Sequence, residues 1–236
     1  MKAFVIAGER SGCGKTLVSL GIMAALIKRG HLVQPFKVGP DFIDPGHHER
    51  ITGRASHNLD GWMTGPDGVN SIFSRYAAGC DVAVIEGVMG LFDGASGKHD
   101  DGSTAQISKW LGAPVVLVLD ASSLARSAAA LAHGYLSFDP ELTVAALVMN
   151  RVGSENHKSL LYDALSSVPR PDPLHPFEIA GFLPRDDGLA MPSRHLGLVT
   201  AEDRALTNEA VDRLGNWADR HLNLPRLLAV MPDITP

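Results

Sequence analysis

Apolar residues along the chain fall in short runs that alternate with longer stretches of helical periodicity. The runs "AFVIAG", "HLVQPFKVG", "DVAVIEGV", "APVVLVLD", "LTVAALVMN" and "EIAGFL" are nearly continuous in apolar character and rich in β-branched residues. That composition predicts strands buried on both faces, as in a parallel sheet covered by helices. Between several of them, residues 15–29, 103–111, 122–136 and 155–167 carry helix-forming patterns. The alternation predicts an α/β fold, a mostly parallel sheet with helices on both faces. From about residue 186 the pattern changes: "DDGLAMPSRHLGLVTAEDRA" is loop-rich, and "LTNEAVDRLGNWADRHLNL" reads as one amphipathic helix. We expect one domain over residues 1–225, with 226–236 as a linker.

Composition narrows the picture. A chain of 236 residues can bury a substantial core, and 24 glycines with only 6% aromatic residues suit many tight βα turns. The formal charge of −5 supplies no basic field for a nucleic-acid backbone, so no nucleic-acid partner is expected. No uninterrupted apolar stretch approaches about 18 residues and no leader pattern opens the chain, so the expectation is a cytoplasmic protein without membrane attachment. Cys13 and Cys80 are too few for a disulfide framework. His47, His48, His57 and His195 lack helical ligand spacing and a cysteine partner, which argues against zinc.

Ligands on open parallel sheets sit beyond the carboxyl ends of the strands. The unusual polar clusters fall at such ends. "GERSGCGKT" (8–16) lies between a strand and a helix, where a P-loop belongs, but glycine stands at position 8 and Glu9 takes its usual place. Gly8 can supply the permissive turn one residue early. Backbone N–H groups from Ser11 to Thr16, through Gly12, Cys13 and Gly14, could cradle phosphates at the positive end of the helix. Lys15 would reach the β- and γ-phosphates, and the Thr16 hydroxyl would ligate Mg²⁺. Arg10 occupies the position at which partition-type ATPases carry a second lysine.

Three further clusters follow. Lys37 ends the second strand, and Asp41 and Asp44 lie in a Pro/Gly-broken loop, where they could hold Mg²⁺, orient an attacking group, or only shape an Asx-rich turn. Glu86 ends an apolar strand, a costly place for a carboxylate with no metal or partner. Asp93 could act at the site or be an ordinary turn aspartate. Asn150 could read the edge of an adenine ring or serve as a cap.

Together with "ITGRASHNLDGWM", "STAQISKWLGAPVVLVLDA", "GFLPR" and "SRHLGLV", these stretches resemble the cobyrinic (or hydrogenobyrinic) acid a,c-diamide synthases of cobalamin biosynthesis, over residues 3–225. The resemblance implies a deviant P-loop fold of the dethiobiotin-synthetase type. It implies an ATP-dependent ligase that phosphorylates the a- and c-acetate carboxylates of a corrin, so that ammonia can displace phosphate to give amides. Carried onto this chain, Lys15 and Lys37 would neutralise the transferring phosphoryl group. Thr16 and Glu86, with Asp41, would hold Mg²⁺. Asp44 and Asp93 would position the carboxylate or handle the acyl phosphate and ammonia. Phe42 and Ile43 would shape the substrate pocket, and Asn150 with "GFLPR" would form the adenine side.

The resemblance also implies a class I glutaminase as ammonia source, in a separate or missing part, because these residues hold no glutaminase-type cysteine motif. The domain alone is therefore expected to use free ammonia. Association into a homodimer is a further implication. Nickel-sirohydrochlorin a,c-diamide synthase, with the same chemistry on another tetrapyrrole, and a MinD/ParA-like ATPase switch are the competing readings.

Overall fold

A computed structural model describes residues 1–169, 177–189 and 206–235. The stretch "RHLGLV" with His195 lies outside the described residues. Among the described residues, seven strands form one sheet: β1 (Lys2–Gly8), β2 (Val33–Val38), β3 (His57–Leu59), β4 (Val82–Glu86), β5 (Val115–Asp120), β6 (Val144–Val152) and β7 (Glu178–Pro184). Their order is β3-β2-β4-β1-β5-β6-β7, and every pairing is parallel. Helices α1 (Lys15–Lys28), α2 (Asp44–Thr52), α7 (Asn208–His221) and α8 (Leu224–Val230) contribute to one core, and α3 (Gly61–Ala77), α4 (Thr104–Leu111), α5 (Ser127–Ser137) and α6 (Glu155–Ser166) to the other. Among the described residues no helix is long and apolar enough to cross a membrane.

The strand period of two divides each strand between these cores. In β1, Ala3, Val5 and Ala7 join the α3–α6 side while Phe4 and Ile6 join the α1 side. In β4, Ala83 and Ile85 go one way, Val82 and Val84 the other. The same parity sends Glu86 toward α1 and α2, and Lys37, its register partner on β2, goes with it. Lys37 and Glu86 meet because of where each sits in its strand.

Two differences from the sequence reading have local causes. The "PDFIDPGHH" stretch is a loop only as far as Ile43. Asp44 opens α2, with Pro45 in the first turn, where a missing N–H costs nothing. The edge strand β3 and helix α3 are new. β3 has three residues, too few to show a period, and α3 is kinked at Gly65 (φ 65°, ψ −179°) beside Pro66. At the far end, Leu224, Leu227 and Met231 are buried, and Ile234 N–H donates to the Met1 carbonyl. Residues 226–235 thus lie docked on the start of β1.

Candidate nucleotide and carboxylate site

The loop after β1 carries positive φ at Gly12 (79°) and Gly14 (100°), the second being the N-cap of α1. Gly8 is absent from the left-handed region, so its role differs from the one expected. A Cβ at Gly8 would stand 2.2 Å from the Cys13 sulfur, so that position is glycine for lack of room. Glu9 is held too: its carboxylate accepts the Asp120 N–H at 3.2 Å, and its carbonyl accepts the Tyr135 hydroxyl at 2.9 Å. The residue in the usual glycine position therefore ties the loop to the end of β5.

A second brace comes from β6. Asn150 Nδ2 donates to the Cys13 carbonyl at 2.8 Å, and its Oδ1 accepts the Arg151 N–H. A Cβ on Gly14 would meet Asn150 Nδ2 at 2.1 Å, so Gly14 and Asn150 fit only as a pair. Arg10 and Arg151 both converge on Asp120 Oδ2, and Arg151 also donates to the Gly12 carbonyl. Burial raises the Asp120 carboxyl, but hydrogen bonds from Ser122 and Arg151 outweigh it and leave it below the usual range. Nothing in the linear pattern linked Arg10, Asp120 and Arg151, which come from three separate strand ends.

The buried charges lie on the other side of the loop. Glu86 is fully buried. Its Oε1 accepts Thr16 Oγ1 at 2.7 Å and Lys37 Nζ at 2.9 Å, and its Oε2 meets His48 Nε2 at 2.8 Å. Lys37 also pairs with Asp44 at 2.7 Å and donates to the Gly87 carbonyl at 3.0 Å, which engages all three ammonium protons. Burial alone would push Glu86 up, yet Lys37, His48 and Thr16 hold it well below the ordinary carboxylate range. Lys37 is raised, because Glu86 and Asp44 outweigh its own burial. Asp44 is raised by burial and by the Glu86 charge, against Lys37. Since ionised Glu86 can only accept, His48 Nε2 carries the proton and Nδ1 faces Ser56 Oγ at 3.0 Å. The sequence reading set His48 aside for lacking zinc spacing. Its actual partner is 38 residues away, and no local signal announces that.

Lys15 donates to the carbonyls of Arg10 and Met89 across the loop mouth, and burial lowers its pKa below the usual lysine range. Asp41 accepts the N–H groups of Ile43 (2.8 Å) and Asp44 (3.1 Å), the Asx arrangement that starts α2. Phe42 is exposed and Ile43 half-buried beside it. Asp93 is exposed and accepts the Gly90 N–H at 3.0 Å. Thus Lys15, Thr16, Lys37, Asp44 and Glu86 form one cluster, Asp41, Phe42 and Ile43 line its β2 side, and Asp93 sits in the loop after β4. Asn150 stands behind the P-loop with its amide already engaged. Among the described residues, no group of three or more His, Cys, Asp or Glu side chains is arranged to hold a metal. A hydroxyl and one carboxylate at a phosphate cradle suit Mg²⁺, which keeps waters and takes the rest of its shell from phosphate oxygens.

The chain is 51% identical over 216 residues to the hydrogenobyrinate a,c-diamide synthase of Streptomyces coelicolor, covering 92% of this chain and 43% of that protein. It is 48% identical over 224 residues to the cobyrinate a,c-diamide synthase of Syntrophotalea carbinolica, covering 95% and 48%. The chain therefore spans roughly half the length of these relatives. Among solved structures, the MinD cell division protein of Aquifex aeolicus superposes with a TM-score of 0.50 at 18% identity, over 80% of this chain and 84% of that one, a likeness of fold. A family model described as CbiA, the CobQ/CobB/MinD/ParA nucleotide binding domain, matches residues 4–199, and the chain belongs to that family.

Proposed function

We propose that this chain is the ATP-dependent, amide-forming half of an a,c-diamide synthase acting on a tetrapyrrole polycarboxylate, cobyrinic or hydrogenobyrinic acid. The observation that carries the reading is the buried Glu86–Lys37–Asp44 group bonded to Thr16 of a P-loop, in a sequence about half identical to synthases of that name. MgATP supplies the phosphoryl group that converts a substrate acetate into an acyl phosphate, from which ammonia displaces phosphate.

The chain's own residues divide that work. Backbone N–H groups of Gly12, Cys13 and Gly14 receive phosphate oxygens at the positive end of α1. Lys15 exchanges its carbonyl partners for the β- and γ-phosphates, and Lys37 balances charge on the transferring group. Thr16 and Glu86, with Asp41, would hold Mg²⁺, which would neutralise charge on the phosphates when bound. Asp44, ion-paired with Lys37 at 2.7 Å, would as a carboxylate accept the proton released as ammonia becomes an amide. Asp93, on the loop after β4, borders the incoming ammonia. Asn150 and the "GFLPR" strand close the adenine side behind the loop that Asn150 braces.

The same reading gives the fold its finer type, dethiobiotin-synthetase-like. It assigns residues 1–225 to the synthetase and 226–236 to the path toward a class I glutaminase that supplies ammonia, and it admits a homodimer.

The test is mass spectrometry of cobyrinic acid, hydrogenobyrinic acid and nickel-sirohydrochlorin, each incubated with MgATP and either an ammonium salt or glutamine. Mono- and diamides should form with ammonium and be abolished by Lys15→Ala. Amidation of nickel-sirohydrochlorin alone would move the assignment to that synthase. ATP hydrolysis without any amide on the three substrates would sink the ligase reading in favour of a MinD/ParA-like switch.

A further inference from the structure

Eight large apolar side chains are exposed among the described residues, and four of them follow three neighbouring strands at one edge of the sheet. Phe42 (91% exposed) follows β2, Trp62 (76%) and Met63 (74%) follow β3, and Met89 (41%) follows β4. These are the strands whose ends carry Lys37 and Glu86. Exposed apolar clusters rimmed by charge mark binding surfaces.

The frame beneath them is braced by hydrogen bonds and close packing. Asp60 Oδ1 accepts the N–H groups of Trp62 and Met63 (2.9 and 3.2 Å), fixing the first turn of α3. Gly61 lies so close to Trp110 that a Cβ would stand 2.8 Å from its ring. The kink at Gly65 separates this turn from the rest of the helix. Asn58 Nδ2 donates to the Asp41 carbonyl at 2.9 Å, and Gly39 N–H to the Leu59 carbonyl at 3.0 Å, so the Phe42 loop and the Trp62 turn are tied into one ledge. A braced frame that holds a tryptophan and a methionine out in water has no folding rationale of its own.

We propose that Trp62 and Met63 extend the substrate pocket, to which the resemblance assigns Phe42, into a ledge on which the apolar face of a macrocyclic substrate rests while one peripheral carboxylate reaches the phosphate cradle at Lys15. The proposal deepens the function argued above and rests on it. Strands β3, β2, β4 and β1 are adjacent, so β3, which leads into the Trp62 turn, lies about 14 Å from the P-loop strand. A small acid held at the phosphate cradle would end short of Trp62. A rigid disc carrying acetate arms spans the interval, with aromatic and thioether surface under its ring and cations at its reacting arm.

The experiment compares wild type with Trp62→Ala, Met63→Ala and Trp62→Phe. It reads KM for cobyrinic acid and for ATP, direct binding of cobyrinic acid by equilibrium dialysis, melting temperature and sedimentation. Trp62→Ala and Met63→Ala should each raise the dissociation constant and KM for cobyrinic acid on the order of tenfold, with KM for ATP and melting temperature unchanged and Trp62→Phe largely restored. Unchanged cobyrinic acid binding in both alanine variants would overturn the ledge while leaving the synthase reading standing. A shift from dimer to monomer with unchanged binding would instead assign the surface to a second copy of the chain. Wild type that binds cobyrinic acid through Trp62 but forms no amide would keep the ledge and remove the ligase. Wild type that does not bind it at all would remove both.

Discussion

His48 and Asp120 act on the nucleotide loop from outside it, and each has a measurable signature. His48 is fully buried between Ser56 and Glu86 and holds the carboxylate oxygen that Thr16 and Lys37 do not. Under the Mg²⁺ role proposed for Glu86, His48 is a partner of the kind that orients a metal-binding carboxylate, whose loss costs roughly 10- to 100-fold in metal affinity. His48→Ala is therefore expected to raise the Mg²⁺ concentration for half-maximal ATP turnover by that order, with His48→Gln closer to wild type. Equal Mg²⁺ dependence in all three proteins would reduce His48 to a packing residue.

Asp120 makes a different prediction, one in pH. Its folded pKa is lowered, so its stabilisation is complete above the ordinary value of 3.8 and is lost as pH falls through the folded value. The stability gap between wild type and Asp120→Asn, measured by urea denaturation, should stay constant from pH 7 to about 4 and close below that. A gap that persists into acid would mean that shape, and not the charge holding Arg10 and Arg151, is what the position contributes.

At the scale of elements, the tightest packing on the α1 side is between α1 and α7. α1 is buried without a break from Val18 to Leu26, because it lies between the sheet and α7. Glycines set the approach: a Cβ on Gly21 would stand 3.2 Å from the Ala218 Cβ, and one on Gly215 would stand 3.3 Å from Ala24 backbone and side chain. Gly215→Val should cost roughly 1–3 kcal/mol by overpacking against a backbone that cannot yield. Chemical denaturation would show it, and a loss within error would mean that α7 shifts freely on α1.

The same elements show what could be read in advance. The six long strands and the amphipathic helix that became α7 were legible, since continuous burial and a 3.6 period leave marks in the residues themselves. Helix α3 was not, because "GWMTGPDG" opens with breakers that Asp60 capping and the Gly65 kink accommodate. Lys37, Thr16 and Glu86 were legible as strand-end or loop residues. Thr16 and Lys37 converge directly on Glu86, whereas the contacts from His48 and Asp44 depend on α2 starting at Asp44, where the sequence suggested a loop.

For the whole molecule, the strand order concentrates charge at the carboxyl ends of the central strands. β1 lies between β4 and β5, so the P-loop has the Lys37–Glu86–Asp44 cluster on one flank and the Arg10–Asp120–Arg151 cluster on the other. Non-glycine residues with positive φ sit after β4 and β5 and near the end of β6: Met89 (50°), Ser123 (64°) and Arg151 (58°), the last one residue before β6 ends. Such conformations persist where surrounding structure enforces them, and they gather at ligand sites. A ligand seated between the flanks should therefore stabilise the entire fold and not one loop. Nucleotide at about 100 times its dissociation constant adds roughly 2.7 kcal/mol, a rise of about 5–10 °C in melting temperature for a chain of this size. ATP with Mg²⁺ should give that full rise and ATP with a chelator a smaller one. Lys15→Ala should lose most of both relative to its own unliganded melting point, because the ammonium that bridges the loop mouth to the carbonyls of Arg10 and Met89 is then missing. Thr16→Ala should lose only the increment due to Mg²⁺, because it removes one oxygen from Glu86's side of the cradle and leaves the phosphate-binding backbone in place. If the rise were the same with and without chelator in wild type, the Thr16–Glu86 pair would be a structural hydrogen bond and the metal would have to be held elsewhere.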